Sequence, residues 1–430
     1  MAEISQLTAN VLPLRDARQV VEEHASRVRP LASQPVDLLR CRGRILAEEL
    51  VADRDLPPFA RATRDGYAVR AADLDKLPAR LEVAGEIRAG APPETFPCPL
   101  QPGEAAEIMT GAPVPCGADA VVMVEYTVRH GDVVEVQRAV ALGENVVPQG
   151  AEARRGDLLL GPGSRLTPVA IAVAASVGKV QVNVYRRPQV AILATGDELV
   201  EVGAQPGPSQ IRNSNSYSLA AQVEASGGLP LKLPIAPDEP SALRRLVEQG
   251  LTADLLLLTG GVSAGKYDLV EQVLHDLGAE FFFTGALIQP GRPVVFGRVP
   301  ASAIASLRGL GTAPASGEWK YFFGLPGNPV STMVTFELFA RVILDAFCGA
   351  SPAKLVFVQA RLKSGIQTKT GLTRFLPAIL SGEYEDSEVE LVRWQGSGDI
   401  AATARANCYI VLPPDRERIP AGAMVAVMVR

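Results

Sequence analysis

The stretch Leu255–Leu274, "LLLLTGGVSAGKYDLVEQVL", decides the fold of the middle of the chain. Its opening apolar run, Leu255 to Leu258, reads as a buried strand. A glycine loop follows, and an amphipathic helical run begins at Asp268. Strand, glycine turn and helix make the repeating unit of doubly wound α/β sheets, whose ligands sit beyond the carboxyl ends of the strands. Gly260, Gly265 and Lys266 also fit a Walker phosphate loop, except that Tyr267 stands where a Ser or Thr hydroxyl would hold magnesium. The loop is therefore either a nucleotide loop without its metal ligand or another anion cradle that spells alike.

The same alternation extends outward. Gln189 to Ala194 predicts a strand, Ser216 to Ser226 a helix stopped by Gly227, and Glu239 to Glu248 a second helix after Pro237-Asp238. Phe281 to Phe283, Val294 to Phe296 and Tyr321 to Phe323 read as further strands, and Val299 to Gly317, rich in Ala, Ser and Gly, as an inserted surface loop. Upstream, Val20, Val21, His24 and Val28 predict a helix, and Val36 to Val51 a second helical run after Pro35. Short alternating runs such as Leu81 to Ala84 and Val133 to Val136, set between Gly/Pro turns, predict a small β domain over 56–144. Residues 186–349 then form the α/β domain, and 350–430 a small C-terminal β domain.

Composition narrows the function. With 430 residues the chain exceeds what one core holds, and 47 % hydrophobic with 21 % charged residues indicates packed domains. No apolar stretch reaches the roughly 18 to 20 residues that span a bilayer, and "MAEISQLTAN" lacks a basic segment followed by an apolar one. A cytoplasmic protein without a membrane span is the expectation. The net charge is −5 and the Lys and Arg are dispersed, which argues against a nucleic-acid partner. Five scattered cysteines and three histidines at no ligand spacing predict reduced thiols and no His-rich metal site, so any metal would be held mainly by oxygen.

Several strand-end loops could carry chemistry. Thr195-Gly196-Asp197-Glu198 puts two acids on one turn, able to hold magnesium or to accept hydrogen bonds from a ribose or a ring edge. In Gly324-Leu325-Pro326-Gly327-Asn328-Pro329-Val330-Ser331, Asn328 is a natural N-cap with Pro329 at the first helical position, and the free N–H groups would face an anion. Thr63 to Ala68, with Asp65, and Met109 to Pro113 each read alone as ordinary turns.

Taken together and in order, these stretches resemble the molybdopterin molybdenumtransferase family, which includes the C-terminal domain of gephyrin. The motifs are Gly43 to Ala47, Asp65 to Ala68, Met109 to Pro115, Thr195 to Leu199, Thr259 to Ser263, Gly324 to Ser331 and Gly396-Ser397-Gly398. The resemblance implies an elongated homodimer of four domains, in which 1–55 and 145–185 form an elongated helical and β dimerisation domain, 350–430 is barrel-like, and the α/β domain of one subunit meets the small β domain of the other. It implies adenylylated molybdopterin and molybdate as substrates, with magnesium or another divalent metal assisting cleavage of the phosphoanhydride and release of AMP, and a molybdopterin adenylyltransferase as partner. By position, Asp65, Glu198, Asp238 and Asp268 match catalytic acids, and Asp65, Glu152, Glu198 and Asp268 metal ligands. Thr195, Gly196, Asp197, Gly260, Gly261, Ser263, Gly265, Arg292, Pro326, Gly327, Asn328 and Ser331 match the pterin-nucleotide site.

The departures cluster on the oxyanion side. Arg64 replaces a Met, Gln289-Pro290-Gly291-Arg292-Pro293 replaces Lys-Pro-Gly-Lys-Pro, and Gly285, Leu372 and Ala401-Ala402 fall where the family has Lys, Arg and a Ser pair. A guanidinium is not equivalent to an ammonium for a compact oxyanion. A tungstate-specific or non-catalytic paralogue that binds the pterin nucleotide is thus the alternative.

Overall fold

The computed structural model describes residues 10–92, 99–261, 269–304, 319–350 and 355–429. Ser263, Gly265 and Asp268 of the opening stretch lie outside the described residues.

The α/β domain is built on a six-stranded sheet. In spatial order its strands are Leu229–Lys232, Gln189–Ala194, Leu255–Thr259, Trp319–Leu325, Val295–Pro300 and Glu280–Phe283. The first four run parallel; Val295–Pro300 runs antiparallel to them, and Glu280–Phe283, antiparallel to Val295–Pro300, points the same way as the first four. Successive side chains alternate between two cores: Val190, Ile192, Leu255 and Leu257 face one, Ala191, Leu193, Leu256 and Leu258 the other. The first core is covered by the helix Asn215–Ala225 and by a helical run that passes from Pro329–Thr335 through a π turn at Phe336–Ala340 to Arg341–Phe347. The second lies under Pro240–Gly250 and Leu269–Asp276. Because both faces are buried, the central strands read as continuous apolar runs, which is what made them visible in the sequence.

The N-terminal helix Leu14–Ala25 does not stand apart from this domain. Its Ala17, Val21 and Ala25 are buried in the first core, and His24 stacks on Phe282 with ring centroids 3.8 Å apart. The small β domain is a six-stranded sheet with Gly66–Val69 between Ala120–Met123 and Glu104–Ile108, followed by Ala79–Ile87, Val133–Val136 and Thr127–His130. The C-terminal domain wraps Thr373–Ser381 against both Glu388–Leu391 and Cys408–Leu412, closing round through Met424–Val429 and Phe357–Leu362. It joins the α/β domain through a short parallel pairing of Ile288–Gln289 with Thr373 and Arg374.

Two expectations are corrected. Val36 to Val51 is not a helix: Ser33–Asp37 is a strand paired antiparallel with Gln181–Tyr185, and only Leu38–Arg40 turns helically. Gly43, at φ +75°, breaks any continuation, and the strand's partner lies far along the chain, where no local pattern announces it. The inserted loop also begins later than Val299. Val299 and Pro300 complete a strand, and Val299, Ala301 and Ile304 are fully or nearly buried in the domain. Residues 305–318 lie outside the described residues.

Candidate active site

Register creates the site. Ala194, Thr259 and Leu325 stand side by side at the carboxyl ends of three adjacent parallel strands. The ladder continues one step further, with Thr195 N–H donating to the Thr259 carbonyl at 3.0 Å and Gly260 N–H to the Leu325 carbonyl at 3.4 Å. Three turns, starting at Thr195, Gly260 and Pro326, are thereby drawn together. Gly260 makes this approach possible: at φ +89°, a Cβ there would lie 2.4 Å from the Thr195 carbonyl oxygen.

These turns form one wall of a cavity of about 950 Å³. Ile288 to Pro293 form another wall, and Leu372, Trp394, Gly396, Ser397, Gly398 and Ile400 of the C-terminal domain close it. The closure is hydrogen-bonded, since Val330 N–H donates to the Ser397 carbonyl at 3.0 Å. One of the N–H groups opening the Pro329 helix is therefore already engaged, and Asn328 sits at the N-cap without a side-chain capping bond. The charged residues of the lining, among the described residues, are Arg212, Arg292 and Glu198. Thr195 is 2 % exposed, and its Oγ1 is buried with no partner among the described residues although the residue lines the cavity. A buried hydroxyl left unpaired costs about 1–3 kcal/mol, and a ligand that bonds it would recover this.

Asn215 ties the turns to each other. Its Nδ2 donates to Thr259 Oγ1 at 2.9 Å and to the Gly327 carbonyl at 2.7 Å. Asn213 and Ser216, both buried, hold each other at 2.9 Å and fix the start of this helix.

Three consecutive stretches match family models: residues 12–178 the MoeA N-terminal region (domains I and II), 191–346 the probable molybdopterin binding domain, and 359–429 the MoeA C-terminal region (domain IV). A molybdopterin molybdenumtransferase of Nostoc sp. is 34 % identical, covering 99 % of this chain and 92 % of the relative. The chain belongs to the molybdopterin molybdenumtransferase family. A family member of Bacillus subtilis is 33 % identical over 90 % of this chain and 87 % of its own length. The crystal structure of the molybdopterin biosynthesis moeA protein of Pyrococcus horikoshii superposes with a TM-score of 0.76 at 28 % identity, covering 98 % of this chain and all (100 %) of that one.

Among the described residues, the acids matched to the family site do not gather in one chain. Glu198 lines the cavity, its carboxylate folded back so that a Cβ on Gly196 would lie 2.4 Å from Oε2. Asp197 and Asp238 neighbour each other, the Asp238 N–H donating to the Asp197 carboxylate at 3.1 Å, yet neither lines the cavity. Asp65 and Glu152 belong to the segment that carries the small β domain. Asp65 accepts from Thr110 N–H at 2.6 Å and from Thr110 Oγ1 at 2.8 Å, which joins two motifs that looked like unrelated turns. The backbone bond from Thr110, then the hydroxyl bond, hold its carboxyl below the usual range. Glu152 pairs with Arg61 at 3.0 Å on the surface. No group of three His, Cys, Asp or Glu side chains arranged to hold a metal occurs among the described residues.

Of the departures from the family pattern, Gln289, Arg292 and Leu372 do line the cavity. Arg374 does not replace the charge missing at Leu372, because its guanidinium donates to the Lys369 carbonyl at 2.9 and 3.2 Å. Arg212, Asn215 and Trp394 were not singled out from the sequence. Arg212 arrives through the pairing of Ile211–Arg212 with Leu199–Val200, which carries no local signal beyond the Asn-Ser-Asn run after it.

Proposed function

We propose that this protein inserts molybdate into adenylylated molybdopterin with release of AMP, as a step of molybdenum cofactor biosynthesis. The observation that carries this reading is the strand-end cavity, whose volume suits a nucleotide-sized ligand and whose charged lining has two arginines for one glutamate. An anionic phosphoanhydride suits such a lining, and the adjoining turns offer backbone N–H donors and the orphaned Thr195 hydroxyl. In this reading Arg292 neutralises phosphate or oxyanion charge, Glu198 and Asn328 orient the nucleotide, and Trp394 supplies an aromatic wall. The adenylylated substrate requires a separate adenylyl-transferring enzyme as supplier.

The described acids of a single chain do not make a magnesium site. We propose that a second copy completes it, its Asp65 and Glu152 loops meeting Glu198 and Asp268 across a homodimer. The chain divides in this proposal into 1–55 with 145–185, 56–144, 186–349 and 350–430, with the helix Leu14–Ala25 of the first packed on the core of the α/β domain. No helix among the described residues is long and apolar enough to cross a membrane.

Incubating the purified protein with adenylylated molybdopterin, magnesium and molybdate should release AMP, and absence of AMP at every molybdate concentration would overturn the proposal. Tungstate in place of molybdate tells which oxyanion the Gln289 to Pro293 wall accepts. Arg292→Ala is expected to lower AMP release about tenfold or more, the usual cost of one charge-assisted contact.

A further inference from the structure

A second cleft, away from the strand-end cavity, is lined by Arg44, Arg165, Arg186 and Arg187 together with Tyr185 and Cys348. Local pairing brings these arginines together. Ile45 bridges to Arg165 and Leu46 to Val184, which sets Arg44 beside Tyr185, and Arg186 and Arg187 follow directly on the Gln181–Tyr185 strand. The floor is the end of the Arg341–Phe347 helix, where Gly349 passes so close under the Tyr185 ring that a Cβ would lie 2.2 Å from it. The end of the Asn215–Ala225 helix adjoins, with Gly227 near Cys348 Sγ.

The charges in this cleft do not balance. Arg165 reaches Asp345 at 3.4 Å, and Arg186 reaches Asp254 at 3.1 Å. Asp345 is already shared with Arg341, at 3.9 Å. Arg44 donates to the Tyr185 carbonyl at 2.8 Å, and no carboxylate pairs with it among the described residues. Arg187 has a buried Nε with no acceptor and no ion pair among the described residues. Cys348 supplies no anion, because burial pushes its thiol up to about 12 and keeps it neutral at physiological pH. The two helix ends contribute partial negative charge that favours cations, yet they leave the Arg187 Nε–H without a partner. Two guanidinium charges thus face one cleft uncompensated. A guanidinium fork is also suited to oxyanions, which it can bind with two parallel bonds.

We propose that this cleft binds a doubly charged tetrahedral oxyanion, a phosphate or molybdate group, between Arg44 and Arg187. Its inner space is only about 10 Å³, room for one water-sized group. One oxygen enters, and the others remain at the mouth beside Arg165 and Arg186. The site joins the segment around Gly43 to the α/β domain, so an anion there would tie the two together.

The test is calorimetric titration of inorganic phosphate, and separately of molybdate, into the full chain at an ionic strength held constant with chloride. One phosphate site per chain is expected that is weakened about tenfold or more in both Arg44→Ala and Arg187→Ala and persists in Arg292→Ala, where anion binding at the strand-end cavity is removed. Tighter binding of molybdate than of phosphate would assign the cleft to the free metal oxyanion, and equal binding to phosphate groups in general. Arg187→Lys keeps the charge without the fork and serves if the alanine variant does not fold; it should bind more weakly than the parent. The proposal is overturned by no heat beyond the chloride control, by binding lost in Arg292→Ala alone, or by Arg187 variants that bind as the parent does. None of these outcomes depends on AMP release.

Discussion

The strand-end cavity and the Asp65 loop are opposites in chemistry. The cavity has donors, two arginines and an unpaired hydroxyl, but one carboxylate, Glu198. The Asp65 loop has a carboxylate primed for ionisation by two bonds from Thr110, and within its own chain it is not part of the cavity lining. One region is a cradle short of acid, the other an acid without a cradle. The difference follows from architecture. Parallel strands end together and converge their turns, whereas in the mixed sheet of the small domain Gly66–Val69 runs antiparallel to both of its neighbours and the Asp65 turn before it is not drawn into such a cluster.

The sharpest way to break the cradle is Gly260→Ala. A Cβ would strike the Thr195 carbonyl at 2.4 Å in a backbone conformation that disfavours L side chains. The strain is on the order of 2–3 kcal/mol, roughly 30- to 150-fold if it appears wholly in ligand affinity. Calorimetry with the pterin nucleotide should show that loss while the Asp65 loop is untouched. Affinity equal to the parent would mean that the ligand does not use this turn.

What the sequence revealed and concealed divides along the same line. Gln189–Ala194 was legible at both ends, because a strand buried on both faces must be apolar throughout. The turns at Thr195, Gly260 and Pro326 were legible as glycine- and proline-marked loops after such strands. Arg212 and Asn215 were not, since their place depends on a short pairing with Leu199–Val200 and on bonds to Thr259 and Gly327. The Ser33–Asp37 strand was misread because its partner is Gln181–Tyr185 and its own residues carry no alternation to betray it. The bond from Thr110 to Asp65 crosses 45 positions, and nothing in either turn announces the other.

The Asp65 loop is tested through its ionisation. Thr110 favours the charged carboxylate, so Asp65 stays ionised to lower pH than an ordinary aspartate. Thr110→Ala removes the hydroxyl bond and keeps the backbone one, so the Asp65 pKa should rise. If the ionised acid is required, the acid limb of the AMP-release profile moves to higher pH in this variant, with little change near the plateau. An unmoved limb would separate Asp65 from the reaction, and the cradle would then stand alone.

The smallest expected effect is also the most discriminating. Glu152 pairs with Arg61 on the surface, with side chains 57 % and 34 % exposed. Such pairs contribute about 0–1 kcal/mol, so Glu152→Gln should leave the thermal midpoint almost unchanged. Its cost should appear instead in magnesium dependence, because a carboxamide keeps the shape and loses the charge that a divalent cation needs. A higher magnesium requirement for AMP release at unchanged stability would place Glu152 in the assembled site. Identical magnesium curves would leave Glu152 as a surface ion pair and Asp65 as the acid that the second copy contributes.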